Sequence, residues 1–559
     1  MKKVLTLFFI FIPIGIFFIF FHFFMVNIPI NDDYQAILKF INDCITTEDY
    51  FEKIKIIFSQ HNEHRIVFTN LCSILCYKLA GNINFSYIAL IGNISLLFTT
   101  FFYYKKFNEI GKNTILFLPV VILLFNFSHW ENMTFAMAST ANFTVILFSL
   151  ISIHFLTKKE LTNKTFYFSV LFYVLAVFTQ GAGLILFPLQ VLILIYKKQL
   201  KRLKQYILFS GVLFCLYFLS YNSPPQNTPI LDVLLNYKAK LILYFIGFLG
   251  NEVNYFRIFT NENQDSLIYS SICGFVILSL VVYLTHKKYY KQNLFNFSTI
   301  VFVLFVAIIT SLSRVANGIE TAGASRYRIW GSILMISLYF FFLENKIAKK
   351  KIFTPLVLVV SISFFVLITT NHLEYLDYRK KLTEKGVLVY HSGEHKYLNG
   401  DTNLKPLYDQ IIKESKKQQT YYFPSETTIM KNYPFSKNIA TTMSKTTDLF
   451  FHNGIEEIIP LKDSFYIEGK GFLEGQDTKK QQIFVVLENQ LNHTKIFFTS
   501  NQIKRYDINP YYKKENLDFA GFIAIIKKED IQKGHYKLLL KVKNNKSESY
   551  AETDKQIKI

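Results

Sequence analysis

The residues best equipped for chemistry are a pair of acids, Asp32 and Asp33, in the segment Asn31-Asp32-Asp33-Tyr34 directly after a long apolar run. A carboxylate held at a membrane boundary can take a proton from a hydroxyl or hold a divalent cation against a phosphate. Acids at such a boundary also simply mark the water interface, and both readings stand for this pair. Further on, Gln60-His61-Asn62-Glu63-His64-Arg65 places polar residues ahead of an apolar stretch. Taken as the start of a helix, the four-residue spacings His61/Arg65 and Gln60/His64 predict two adjacent polar stripes. His61 and His64 fall short of a zinc ligand set. Hydrogen bonding of His61, Glu63, His64 and Arg65 to a phosphate or sugar is set against a solvated helix N-terminus.

Two more polar segments interrupt the apolar pattern. His129-Trp130-Glu131-Asn132 lies between two apolar runs, where Trp130 is ordinary for an interface but Glu131 and Asn132 suit the mouth of a cavity. Ser313-Arg314 and Ser325-Arg326-Tyr327-Arg328 carry arginines whose planar fork matches phosphate oxygens. An anionic lipid-linked ligand and ordinary lipid headgroups are both candidates for Arg314 and Arg326.

These segments need elements to position them, and composition says which. Of 559 residues, 51% are hydrophobic and 59 are Phe. Apolar runs near the ~20 residues that cross a bilayer predict about eleven spanning helices. They fall at Val4–Met25, Ser86–Tyr104, Thr114–Phe127, Met137–Leu156, Phe166–Thr179, Gly183–Tyr196, Tyr206–Tyr221, Leu267–Thr285, Phe295–Leu312, Ile329–Leu343 and Ile352–Thr370. The first run follows Lys2 and Lys3 but lacks a small-residue cleavage site, so it is expected to remain as a span.

The formal charge of +21 is concentrated in short loops, such as Lys105/Lys106/Lys112, Lys158/Lys159/Lys164, Lys287/Lys288/Lys291 and Lys346 to Lys351. The positive-inside rule places those loops and the N-terminus in the cytoplasm. The charge therefore reads as topology and not as a nucleic-acid surface. Consistency requires that Arg65–Ala80 and Leu241–Leu249 lie at the interface without crossing. The opposite face then carries every chemically interesting segment. Five cysteines without a CxxC pair argue against a zinc site or disulfide framework. The sequons at Asn93 and Asn142 fall in apolar runs and are chance matches.

Past the last span, Glu374 to about Ile459 is mixed and polar, with a helix expected near Leu407–Lys417. From Ser464 the pattern alternates as short strands at Phe465–Leu473, Gln482–Glu488, Lys495–Ser500, Phe519–Ile526 and Tyr536–Val542, which predicts a small β-sandwich. The expected fold is thus a mainly α polytopic membrane bundle with a C-terminal extracytoplasmic β-sandwich-like domain. Its parts are a membrane domain over 1–372 with a long outer loop at 27–85, a mixed linker over 373–460, and the β-domain over 461–559.

The arrangement resembles the C-type glycosyltransferase (GT-C) superfamily and, within it, a group of bacterial membrane proteins. The resemblance is carried by Asp32-Asp33 in a long first outer loop, His61-Asn62-Glu63-His64-Arg65, Glu131-Asn132, Gly181-Ala182-Gly183-Leu184 and Ala324-Ser325-Arg326-Tyr327. It implies an enzyme of the bacterial cytoplasmic membrane that moves a sugar from a polyprenyl-phosphate donor to an outer glycan or lipid acceptor. It further implies that Asp32 or Asp33 activates the acceptor hydroxyl, that Arg314 or Arg326 holds the donor phosphate, and that Tyr327 belongs to the substrate site. Divalent-metal dependence varies across the superfamily; Asp32 and Asp33 would hold a Mg or Mn ion if one is used. A flippase for lipid-linked glycans would need the arginines but no base, and a glycan polymerase or ligase would differ mainly in acceptor. A non-catalytic assembly protein would not need so many spans.

Overall fold

The computed structural model describes residues 2–224, 228–253, 263–345, 350–393, 402–443, 451–505, 508–512, 516–545 and 547–559. Lys346 and Lys349, used above to assign the last basic loop, lie outside the described residues. The chain divides into two compact units. The first is Met1–Leu373 with Gln410–Tyr422, and the second is Glu374–Asp409 with Phe423–Ile559.

The first unit is helical. In a bilayer every backbone polar group must be satisfied within the segment, and long apolar runs therefore coil. Helices occupy each segment expected to span. Among the described residues, eight are long and apolar enough to cross a membrane: Thr6–Phe24, Phe85–Ile110, Thr114–Thr134, Ala136–Thr157, Leu267–His286, Leu294–Asn317, Ser325–Glu344 and Phe353–His391. Three apolar helices are shorter, namely Val67–Ala80, Asn163–Val177 and Gly181–Tyr196. Large apolar side chains such as Phe8, Phe11 and Leu208 remain exposed, which suits surfaces that face lipid. Helices approach most closely where a side chain is missing. A Cβ on Gly92 would stand 2.3 Å from the Ser139 carbonyl carbon, so the Phe85–Ile110 and Ala136–Thr157 helices pack nearly backbone to backbone.

Two π-helical turns, Tyr34–Lys39 and Ser139–Phe143, interrupt the regular helices. Such turns are rare and recur at functional positions. The segment after Asp33 is also braced from far along the chain. Asn42 accepts from Thr420 Oγ1 at 2.6 Å and donates to Ser415 Oγ at 3.0 Å, and Tyr421 donates to the Asn27 carbonyl at 2.8 Å. Residues 410–422, within the stretch read as mixed and polar, thus buttress the loop that carries the acids.

Among the described residues of the second unit, nine strands form two antiparallel sheets. They are β1 (Asn438–Ile439), β2 (Phe451–Pro460), β3 (Ser464–Leu473), β4 (Gln482–Asn489), β5 (Lys495–Thr499), β6 (Asn501–Ile503), β7 (Gly521–Lys527), β8 (His535–Lys543) and β9 (Glu548–Lys558). One sheet has the order β1-β5-β4-β8-β9 and the other β2-β3-β7-β6. Alternate residues of both sheets meet in one core, with Phe465 and Ile467 of β3 and Phe522 and Ala524 of β7 joining Val485 of β4 and Leu540 of β8. Pairing begins at Asn438 in β1, well ahead of the expected boundary at 461, and resumes at Phe451 in β2, which carries a bulge between Ile455 and Glu457.

Candidate functional site

The polar segments of the first unit come together. Asn31 takes a left-handed conformation at φ 48°, which Asn tolerates better than most residues, and it turns the chain so that the adjacent acids have different fates. Asp33 points inward, with 1% of its surface exposed. One carboxylate oxygen accepts from the Met137 amide at 3.0 Å and the other from the Ile30 amide at 3.2 Å. Burial pushes its carboxyl well above the usual range, against the lowering effect of those amides. Asp33 is therefore a tether between the first loop and the helix that starts at Ala136. Asp32 stays accessible, its side chain 38% exposed, with Oδ1 at 3.5 Å from Asn62 Nδ2 and 3.8 Å from His61 Nε2.

Residues 60–65 do not begin a helix. His61 and His64 exchange both backbone hydrogen bonds, at 2.7 and 2.9 Å, across a tight turn with Asn62 at φ 48°. The helix starts only at Val67. The two predicted polar stripes are therefore absent, and each side chain points by its place in the turn. His61 faces Asp32. Glu63 pairs with Arg314 at 2.5 Å, the two side chains being 18% and 27% exposed. His64 packs over Gly181, whose Cβ would stand 2.6 Å from the imidazole Nδ1, so the glycine makes room for the ring. Nδ1 itself is buried without a hydrogen-bond partner. Burial lowers the pKa of both histidines, more than the neighbouring acids raise them, so both rings are neutral at neutral pH.

Arg65 is committed elsewhere. Its Nε donates to the Tyr217 carbonyl at 2.5 Å, and its terminal nitrogens donate to the carbonyls of Phe58 and Leu219. Those carbonyls close the ends of the helices Tyr50–Ile57 and Leu200–Phe218. The buried guanidinium thus caps two helix C-termini, where positive charge is favoured, with all three of its nitrogens donating to backbone carbonyls.

Glu131 and Asn132 organise the start of the Ser325–Glu344 helix. The Glu131 carboxylate accepts from the Arg326 amide at 2.9 Å, and Asn132 Nδ2 donates to the Arg326 carbonyl at 3.0 Å. Asn132 Oδ1 accepts from Asn142 at 2.7 Å, and Asn142 Oδ1 accepts from Gln180 at 2.8 Å. This amide chain fixes the backbone of Arg326 and leaves its side chain exposed. The guanidinium lies 5.4 Å from the centre of the Tyr327 ring and within electrostatic range of Asp32 and Glu131. Tyr327 in turn packs on Phe248.

Asn142 and Gln180 were invisible as site residues. Asn142 read as a chance sequon, although a lone amide in an apolar run, with nothing but protein to bond, was itself a signal. For a resident divalent ion the donors are incomplete. Asp33 is spent on backbone amides, and among the described residues no group of three His, Cys, Asp or Glu side chains could hold a metal.

Comparison with known proteins finds no family model, no curated protein and no solved structure that this chain matches. The site must be judged on its own geometry.

Proposed function

We propose that the first unit is a membrane glycosyltransferase that moves a sugar from a polyprenyl-phosphate donor to a glycan or lipid acceptor. The observation that carries this reading is an accessible carboxylate, Asp32, beside the neutral ring of His61 and within electrostatic range of the guanidinium of Arg326, an exposed residue. Transfer needs a base for the acceptor hydroxyl and a cation for the leaving phosphate. The acceptor oxygen attacks the anomeric carbon as the bond from that carbon to the phosphate oxygen breaks. Asp32 takes the hydroxyl proton, and the phosphate leaves with the electron pair toward Arg326. Glu63 holds Arg314 as a second, partly compensated cation nearby.

A flippase would grip the same phosphate with Arg326 but has no use for a carboxylate placed beside it. The distribution of lysines supports a cytoplasmic N-terminus, with this site and the two sheets on the outer face of a bacterial cytoplasmic membrane. The two sheets sharing one core make the second unit a β-sandwich in this reading.

The test is transfer by purified full-length protein from a panel of radiolabelled polyprenyl-phosphate sugars to an envelope-glycan acceptor. Wild type transfers at least one sugar, and Asp32→Asn transfers it at least about 100-fold more slowly while still binding that donor. Absence of transfer from every donor, with Arg326-dependent donor binding, favours the flippase instead.

A further inference from the structure

The second unit contains a cavity of about 250 Å³ that the proposed transfer reaction does not use. One wall is a face of the Phe353–His391 helix, where Glu374, Asp377, Tyr378, Lys381 and Lys385 recur at helical spacing. The other is the side of the β2-β3-β7-β6 sheet turned away from the core. There Tyr466 and Glu468 alternate with the inward Phe465 and Ile467.

The charges on these walls compensate one another, with Glu456 shared between Arg505 and Lys470 and Glu468 between Lys385 and Arg505. Asp377 meets Lys381 at 2.6 Å and Glu374 meets Lys504 at 2.6 Å. Glu456 meets Arg505 at 2.7 Å and Glu468 meets Lys385 at 3.0 Å. The first two acids are half exposed, at 49% and 50% of their side chains, while Glu468 and Arg505 are 9% and 11% exposed. The cavity therefore has a wet mouth and an enclosed floor. Ion pairs serving only to glue helix to sheet would be expected to close on one another, since an unfilled gap forfeits packing. Here they surround open space and keep donors and acceptors at its edge.

We propose that this cavity binds a neutral saccharide unit. An anion entering it would meet four carboxylates and a cation four basic groups, so either would have to break an existing pair. A neutral polyhydroxylated ring breaks none. Its hydroxyls accept from the ammonium and guanidinium groups and donate to the carboxylates, and its C–H faces can lie against Tyr378 and Phe519. Because it rests on the second unit alone, the proposal stands or falls separately from transfer by the first unit.

Saturation-transfer NMR on the full-length protein in detergent tests it. The probes are glucose, galactose, mannose and N-acetylglucosamine, with glucuronate and glucosamine as charged controls. At least one neutral sugar shows saturable binding. Leu382→Trp, which fills the cavity from an exposed helix position, abolishes it. Asp377→Asn weakens it by about tenfold, the effect of losing one charge-assisted hydrogen bond. Asp377 is half exposed, so that variant keeps its fold and carries the test if Leu382→Trp does not. Three results would each overturn the proposal: no neutral sugar bound, a charged control bound more tightly, or binding untouched by the folded variants. Sugar bound without transfer would count against the reaction only, and transfer without sugar bound here would count against this site only.

Discussion

Adjacent acids with opposite environments give the sharpest prediction. Each oxygen of Asp33 accepts one backbone N–H, from Met137 and from Ile30. Asparagine offers one acceptor oxygen and must turn its NH2 toward the other amide, so one charge-assisted bond is lost, worth about 1.5–3 kcal/mol. Asparagine also removes the desolvation cost that raises the carboxyl pKa, which offsets part of that loss. The net expectation for Asp33→Asn is a destabilisation of about 1–2 kcal/mol. Asp32 is 38% exposed and holds only the long contacts to Asn62 and His61, so Asp32→Asn should shift stability by no more than about 0.5 kcal/mol. Reversible SDS unfolding followed by circular dichroism reads both variants. Equal destabilisation by the two substitutions, or a larger loss for Asp32→Asn, would refute the division of roles.

Other perturbations follow from the same contacts. Arg65→Ala leaves two helix ends uncapped and should cost about 3–5 kcal/mol in the same unfolding assay, with Arg65→Lys recovering little because an ammonium cannot span three carbonyls. Gly92→Ala forces a methyl against the Ser139 backbone and should cost about 1–3 kcal/mol, read as a lower unfolding midpoint. His61 and His64 have folded pKa values below the unfolded value of about 6.5. Their contribution is complete above that pH and is lost as pH falls toward the folded values, because the unfolded chain takes up protons first. Stability should therefore decline as pH falls through about 6.5, and His61→Gln with His64→Gln should flatten the profile. In the second unit Lys541 is 1% exposed and meets Glu548 at 3.1 Å. Lys541→Ala should cost about 3–5 kcal/mol, whereas Lys541→Met combined with Glu548→Gln should recover most of it.

Much of the scaffold could be read before any coordinates. Apolar runs long enough for a bilayer became helices because length and composition decide that choice locally. β3, β4, β5, β7 and β8 fell within a few residues of their expected bounds, since each alternates against a shared core. β2 was missed because its bulge at Ile455/Glu457 breaks the two-residue period. β9 was missed because an edge strand reading ESYAETDKQIK buries little. At the site, residue types were legible, but partners were not. Arg65 found the carbonyls of Tyr217 and Leu219, and Asp33 the amide of Met137, all in segments far away in sequence. The turn at Asn62 was mistaken for a helix start, although Asn between polar residues was a usable turn signal.

The central claim is that Asp32 acts on the acceptor and Arg326 on the donor phosphate. Steady-state transfer measured against donor concentration separates the two. Asp32→Asn should lower kcat by about 100-fold or more with donor KM unchanged, while Arg326→Ala should raise donor KM as well as lower kcat. Full activity in Asp32→Asn, or an Asp32 effect confined to donor KM, would contradict the account.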